Sequence, residues 1–140
     1  MQKTTALAAA LMPLLAIGCL REDCRREPSP NNQFHFASII EIVANPHRYH
    51  LKRVIVLGFA DVDPNGGAVY LHREDYENGL FRNAIGLDKQ AVQFAQINKS
   101  YASIRGCFRE DDHGHLGMFV GSIVEIESAT AIDRSSGGPQ

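Results

Sequence analysis

The sequence predicts a mainly β domain: a closed barrel of five strands, with a short helix ahead of the first strand and another between strands three and four. Three observations predict it. Segments in which residues alternate on a two-residue period recur from Arg53 to Ile132. A helical period replaces them in two places, after Phe36 and after Asp88. A glycine, Gly58, stands in the middle of the first and most apolar alternating segment, where a strand must bend to serve both halves of a barrel.

The elements follow in order. From Phe36 to Pro46, Phe36, Ile39, Ile40 and Val43 form an i, i+3, i+4, i+7 stripe. Ser38 and Glu41 have the spacing of a capping box. Asn45-Pro46 ends this helix, because the residue before a proline avoids helical geometry. Arg53 to Asp61 is the first strand. Val54, Val56 and Gly58 face one way and Ile55, Leu57 and Phe59 the other, so both sides are expected to be covered, by the barrel interior and by a helix. Asp63-Pro64-Asn65-Gly66-Gly67 is a turn, Ala68 to Arg73 the second strand, Glu74 to Leu80 a polar loop, and Arg82 to Asp88 the third strand.

Asp88 then caps a helix in which Ala91, Phe94 and Ala95 fall on one side, with Asn98 as its stop. Ser100 to Phe108 is the fourth strand. There Ala102, Ile104, Gly106 and Phe108 share a dry face, while Tyr101, Ser103, Arg105 and Cys107 share a wetter one. The loop Glu110-Asp111-Asp112-His113-Gly114-His115-Leu116-Gly117 leads to a fifth strand, Met118 to Ile132. Helix, three strands, helix, two strands is the plan of the OB-fold.

The first residues set the location. Met1-Gln2-Lys3 is a short positive stretch, and Thr4 to Gly18 is free of charge. This is the length of a secretory signal and short for a membrane span of ~20 residues. Residues 1–18 therefore read as a cleaved export signal. Leu15-Ala16-Ile17-Gly18-Cys19 resembles the bacterial lipoprotein box, with Ala16 where that pattern prefers leucine; ordinary cleavage after Gly18 is the alternative. Lipidation of Cys19 makes the membrane the first partner. Leu20 after it resembles an outer-membrane address, giving the periplasmic face of the outer membrane; the alternative is a soluble periplasmic or secreted protein. Residues 19–33 read as a lipidated cysteine and flexible tether, 34–132 as the barrel domain and 133–140 as a disordered tail.

Three cysteines are present. With Cys19 lipidated, Cys24 and Cys107 remain in a compartment that permits disulfides, and the wetter face of strand four leaves Cys107 open to the tether. A Cys24–Cys107 bridge and two free thiols both fit this spacing.

From Phe36 to about Thr130 the chain resembles small, largely uncharacterised OB-like domains of bacterial exported and lipoprotein-type proteins. The resemblance is carried by ANPHRYHLKRVIVLGFAD, AVYLHREDYENG, NAIGL, and RGCF followed by a His/Gly loop and GMFVGSIVEI. In those domains a glycine is expected in the turn before the Lys-Arg pair. This chain has His50-Leu51 there, so the turn is expected to differ. The resemblance implies architecture and location and transfers no catalytic residue.

The chemistry-bearing residues support two classes of function. A net charge of -2 gives no basic footprint, which argues against nucleic acid. No nucleophile elbow, HExxH or P-loop is present, so no enzyme and no cofactor is predicted. The first reading is a non-catalytic binding or structural module for a protein or glycan of the envelope. Tyr70, Tyr76 and Tyr101, with Phe81, are its candidate contact aromatics. The second is a metal-binding protein. His113 and His115 at i, i+2 point the same way if the loop is extended, Asp112 adds an oxygen, and a further donor such as His72 would have to converge on them. Asp61, Asp63, Asn65 and Gly66 match the start of a calcium loop, but position 12 is His72 rather than glutamate, so a β-turn is the expectation.

Overall fold

The computed structural model describes Cys24 and residues 33–132. The predicted signal peptide, Cys19, most of the predicted tether and the predicted C-terminal tail lie outside the described residues. No described helix is long and apolar enough to cross a membrane.

The described chain is mainly β, a closed five-stranded mixed barrel with one extra strand and a few short helices. The strands are β1 (His35–Phe36), β2 (Lys52–Asp63), β3 (Gly66–Tyr70), β4 (Ala84–Leu87), β5 (Ser100–Arg109) and β6 (Ser122–Ala131). Their order is β1-β2-β3-β4-β6-β5, closed by a β2–β5 pairing. The β4–β6 pair is parallel and the other barrel pairs are antiparallel. Setting β1 aside, this is the OB-type plan that the order of elements predicts.

The bend at Gly58 closes the barrel. Up to Ala60, β2 pairs along one edge with β5; from Phe59 onward its other edge pairs with β3. A Cβ at Gly58 would overlap the Tyr70 carbonyl oxygen and stand 2.7 Å from both Ile39 Cδ1 and Val69 Cγ2. The core holds Val54, Val56, Val69, Ile85, Ile104 and Phe108, all buried. At roughly 2 kcal/mol per fully buried aliphatic side chain, this interior outweighs any single surface contact.

The helices depart from the sequence reading in instructive ways. α1 (Ile39–Ala44) has the expected capping box: Glu41 N–H donates to Ser38 Oγ at 3.1 Å, and Ser38 N–H donates to Glu41 Oε2 at 2.8 Å. Its buried residues, however, are Ile39 and Ile42, while Ile40 is exposed. Phe36 is no part of the helix. It belongs to β1, which pairs parallel with Val54 and Ile55. The backbone need at the open edge of β2 overrides the stripe, and six helical residues have little helical stability of their own. Asn45-Pro46 does end α1, but Pro46 also starts α2 (Pro46–Tyr49), since proline fits a first helical position.

Leu51 takes φ +58°, the left-handed conformation a glycine ordinarily supplies, so this turn keeps a glycine-like backbone without a glycine. The second strand ends at Tyr70, and residues predicted as loop form α3 (Arg73–Glu77). The third strand is shorter than predicted, preceded by a 3-10 turn, Phe81–Asn83.

The segment Lys89–Ile97 is a kinked 3-10 helix rather than an α-helix. Asp88 caps it through Gln90 N–H at 2.9 Å. Ala91 and Ile97 are buried, Phe94 is partly buried, and Ala95 faces out, because a tighter helix with a break at Phe94 changes which residues align. Met118 to Gly121 is loop, not strand, and β6 begins at Ser122. The predicted cover over both faces of the first strand is incomplete: Leu57 is 53% exposed.

Candidate functional site

OB barrels commonly bind ligands on the outer face of their second and third strands, between the loops that join strands one to two and four to five. Here those strands are β3 and β4, and the loops are Pro64–Asn65 and 110–121. Ala68, Tyr70 and Ala84 form this outer face, continued by Phe59 of β2 and flanked by Tyr101 of β5. All three candidate tyrosines gather there. The Phe59 ring lies 5.6 Å from Tyr76 and 5.5 Å from Tyr101, and Tyr70 meets Tyr76 edge-on at 5.5 Å.

α3 brings Tyr76 to the cluster. Its start is held by Asp75, which accepts from His72 N–H at 3.0 Å and from Asn83 Nδ2 at 2.9 Å. Those bonds satisfy a buried carboxylate that would otherwise be costly. Cations rim the cluster. Arg73 lies over Phe59 at 5.2 Å, and Lys99 lies over Tyr76 at 3.8 Å. Lys99 also donates to Asp61 and to the Tyr76 hydroxyl. Burial pushes the Lys99 ammonium down, and these two bonds push it up by more, leaving it above its ordinary value. Tyr70 is packing within the cluster, only 3% exposed, and burial raises its hydroxyl pKa. Tyr76 and Tyr101 remain partly accessible.

The 110–121 loop folds back over the same face. Phe119 is buried in the cluster, edge-on to Phe81 at 6.2 Å. Glycines make room for it: a Cβ at Gly114 would stand 2.8 Å from the Phe119 ring, and one at Gly86 would stand 3.1 Å from it. Sequence reasoning missed Phe119 by placing it in a strand. The signal was present in Gly117-Met118-Phe119-Val120-Gly121, an aromatic bracketed by glycines. Below the loop, Ser122 Oγ is buried without a hydrogen-bond partner.

Most polar residues of the loop hold it in shape. Glu110 pairs with His47 at 2.5 Å, and its N–H donates to His50 Nδ1 at 3.2 Å. Arg109 donates to both oxygens of Asp111, at 3.0 and 2.7 Å, and this holds the Asp111 carboxyl below its usual range. Asp112 accepts from Gly114 N–H at 3.0 Å. His113 Nδ1 donates to the Phe119 carbonyl at 3.0 Å. The segment is not extended, since Gly114, Leu116 and Gly117 all have positive φ, so the i, i+2 reasoning for His113 and His115 does not apply. Among the described residues no three His, Cys, Asp or Glu side chains group as a metal would require, His72 included. The calcium-like run is likewise a hairpin turn: Asp61 is held by Lys99, and Asp63 accepts from Asn65 N–H at 2.8 Å.

Leu116 is 78% exposed at φ +60°. Leu116→Asn is therefore expected to raise stability by roughly 0.5 kcal/mol, since asparagine tolerates that conformation and no packing is lost. Denaturant unfolding measures it.

Two clefts flank the loop. One, of about 760 Å³, is lined by Leu80, Phe81, Arg82, His113 and Met118. The other, of about 820 Å³, is lined by Asp88, Arg109, Asp112, His115 and Glu125. In the second, burial raises the Asp88 carboxyl pKa, with the Asp112 and Glu125 charges adding, against the lowering effect of backbone N–H bonds from Gln90 and Glu125. A carboxyl whose folded pKa is raised destabilises the fold above that pKa, and the penalty disappears as pH falls through it. Asp88→Asn keeps a capping oxygen and removes the charge. It is expected to be more stable than the native chain at pH 7, with the gain vanishing in acid below both pKa values; melting temperature against pH reads this.

The structure also joins Cys24 to Cys107 by a disulfide, with Cα atoms 5.8 Å apart. Comparison with known proteins finds no matching family model, no matching curated protein and no matching solved structure.

Proposed function

We propose that this is a lipid-anchored bacterial envelope protein, on the periplasmic face of the outer membrane, whose OB-like barrel is a non-catalytic binding or structural module for a protein or glycan partner. The observation that carries the binding part is the aromatic outer face of β3 and β4. Tyr76 and Tyr101 stay partly open there, Arg73 and Lys99 rim it, and a cleft opens beside Phe119 where OB barrels take ligands. The export signal and Cys19 support the anchor.

The anchor is tested by Cys19→Ser, which should block lipid attachment and move the protein out of the membrane fraction; unchanged mass and fractionation would remove the anchor. The module is tested with a photo-crosslinker at Leu80, in the cleft, and at Val92, away from it. A species captured at Leu80 alone, and lost in Tyr76→Ala/Tyr101→Ala, supports the reading. Equal capture at both positions, or none, counts against it. The metal reading has less support, because His113 Nδ1 is engaged by a backbone carbonyl. Stoichiometric metal in untagged protein, lost in His113→Ala/His115→Ala, would restore it.

A further inference from the structure

We infer that the outward face of β2 around Phe36 and Leu57 rests on the bilayer that holds the Cys19 lipid, an inference that depends on the lipidation proposed above. Three features lead there: where the disulfide ties the chain, what the tied face exposes, and which charges stand beside it.

Cys24 is bonded to Cys107, and Cys107 is the register partner of Arg53 near the start of β2. From Cys19 to Cys24 there are five residue steps, which span at most roughly 17 Å when fully extended. Without the bridge the anchor would reach the domain only at Gln33, after fourteen steps and a span of up to roughly 50 Å. The disulfide therefore removes most of the tether's reach. It brings the outer surface near the start of β2 close to the headgroups.

That surface exposes two large apolar side chains beside Arg53 and Arg105. Outward positions along β2 run Arg53, Ile55, Leu57. Phe36 is registered on Ile55, so it stands on this same face between the disulfide end and Leu57. Phe36 is 78% exposed and Leu57 53% exposed. The Phe34 ring stacks on Arg53 at 4.1 Å and lies 5.7 Å from Arg105.

The charges suit a headgroup layer. Phe34 and Phe36 line a groove of about 470 Å³ together with Arg48, Tyr49 and Lys52. The groove's carboxylate, Glu41, accepts the Ser38 backbone N–H at 2.8 Å in the capping box. Apolar rings that enter the acyl boundary, with cations at the level of the phosphates, are the composition of an interfacial surface.

The chain contains no tryptophan, so one introduced indole is a unique reporter. Full-length lipidated, oxidised Phe36→Trp and Leu57→Trp proteins are reconstituted into vesicles of phosphatidylethanolamine and phosphatidylglycerol carrying brominated acyl chains. Val92→Trp, on the exposed side of the 3-10 helix that packs at the opposite end of β2, is the reference. Quenching at Phe36→Trp and Leu57→Trp is expected to exceed that at Val92→Trp at least ~3-fold, as for residues inserted at the interface. It should fall towards the reference when Cys24→Ala releases the strap. Equal quenching at all three positions, with the protein still pelleting with vesicles, overturns the inference and leaves the anchor standing, with a protein as the partner of this face. Native protein that carries no lipid on Cys19 when isolated from its own cells, and does not pellet with vesicles, overturns the anchor and the inference together.

Discussion

Gly58→Val is expected to abolish folding. The new Cβ would meet the Tyr70 carbonyl oxygen, and it would stand 2.7 Å from Ile39 Cδ1 and Val69 Cγ2 before the two methyl groups are added. Tyr70 is backbone of the neighbouring strand and cannot give way without breaking the β2–β3 ladder at Phe59↔Tyr70. Overpacking alone costs ~1–3 kcal/mol, and a clash with ladder backbone places this substitution at or beyond the top of that range, a large share of a small domain's stability. Leu57→Ser, one residue earlier but on the exposed face, is expected to stay within about 0.5 kcal/mol of the native chain. Far-UV circular dichroism and soluble yield separate the two. A cooperative, native-like melt of Gly58→Val would show that β2 does not bend there.

Cys24→Ala is expected to have the second-largest effect. The bridge closes a loop between residues 83 apart in sequence. Chain entropy for a loop of this length predicts a contribution of roughly 4.5 kcal/mol, and measured losses for native disulfides run about 2–5 kcal/mol. In a domain of this size such a loss lowers the melting temperature by roughly 10 °C or more. A reducing agent should lower the native protein's melting temperature by a similar amount and leave Cys24→Ala unaffected. Cys24 is the better position to change, because Cys107 is 2% exposed and a polar replacement there would add a desolvation penalty. Equal melting of oxidised and reduced protein would show that the strap adds no stability.

The barrel was legible because β-strand burial writes itself into alternation. Ala102, Ile104, Gly106 and Phe108 are buried on β5 while Arg105 between them is exposed, as a period of two requires. The capping box at Ser38 was legible because it needs only two residues three apart. α3 was not: Arg73-Glu74-Asp75-Tyr76-Glu77 has no apolar stripe, and its stability comes from Asp75 bonded to His72 and Asn83, a contact eight residues away. The tyrosines could be nominated from the sequence, but not their stacking around Phe59, which depends on register between β2, β3 and β5. The geometry of the histidine pair was not legible, because it rests on backbone angles at Gly114 and Leu116 that residue types do not dictate.

The β2–β5 seam also sets the order of events in folding. Its partners run from Lys52↔Phe108 to Ala60↔Ser100, so they are 56 to 40 residues apart in sequence. The β2–β3 hairpin, by contrast, joins across Asp63↔Gly66 and can form in ~1–10 μs. The seam must wait for a long loop to close, which places the whole barrel among domains that fold on the millisecond-to-second scale. Until it closes, the β5-facing edge of β2 stays unpaired, and a newly made chain presents its most apolar strand to its neighbours. That interval, rather than the finished barrel, is when the protein is most open to aggregation.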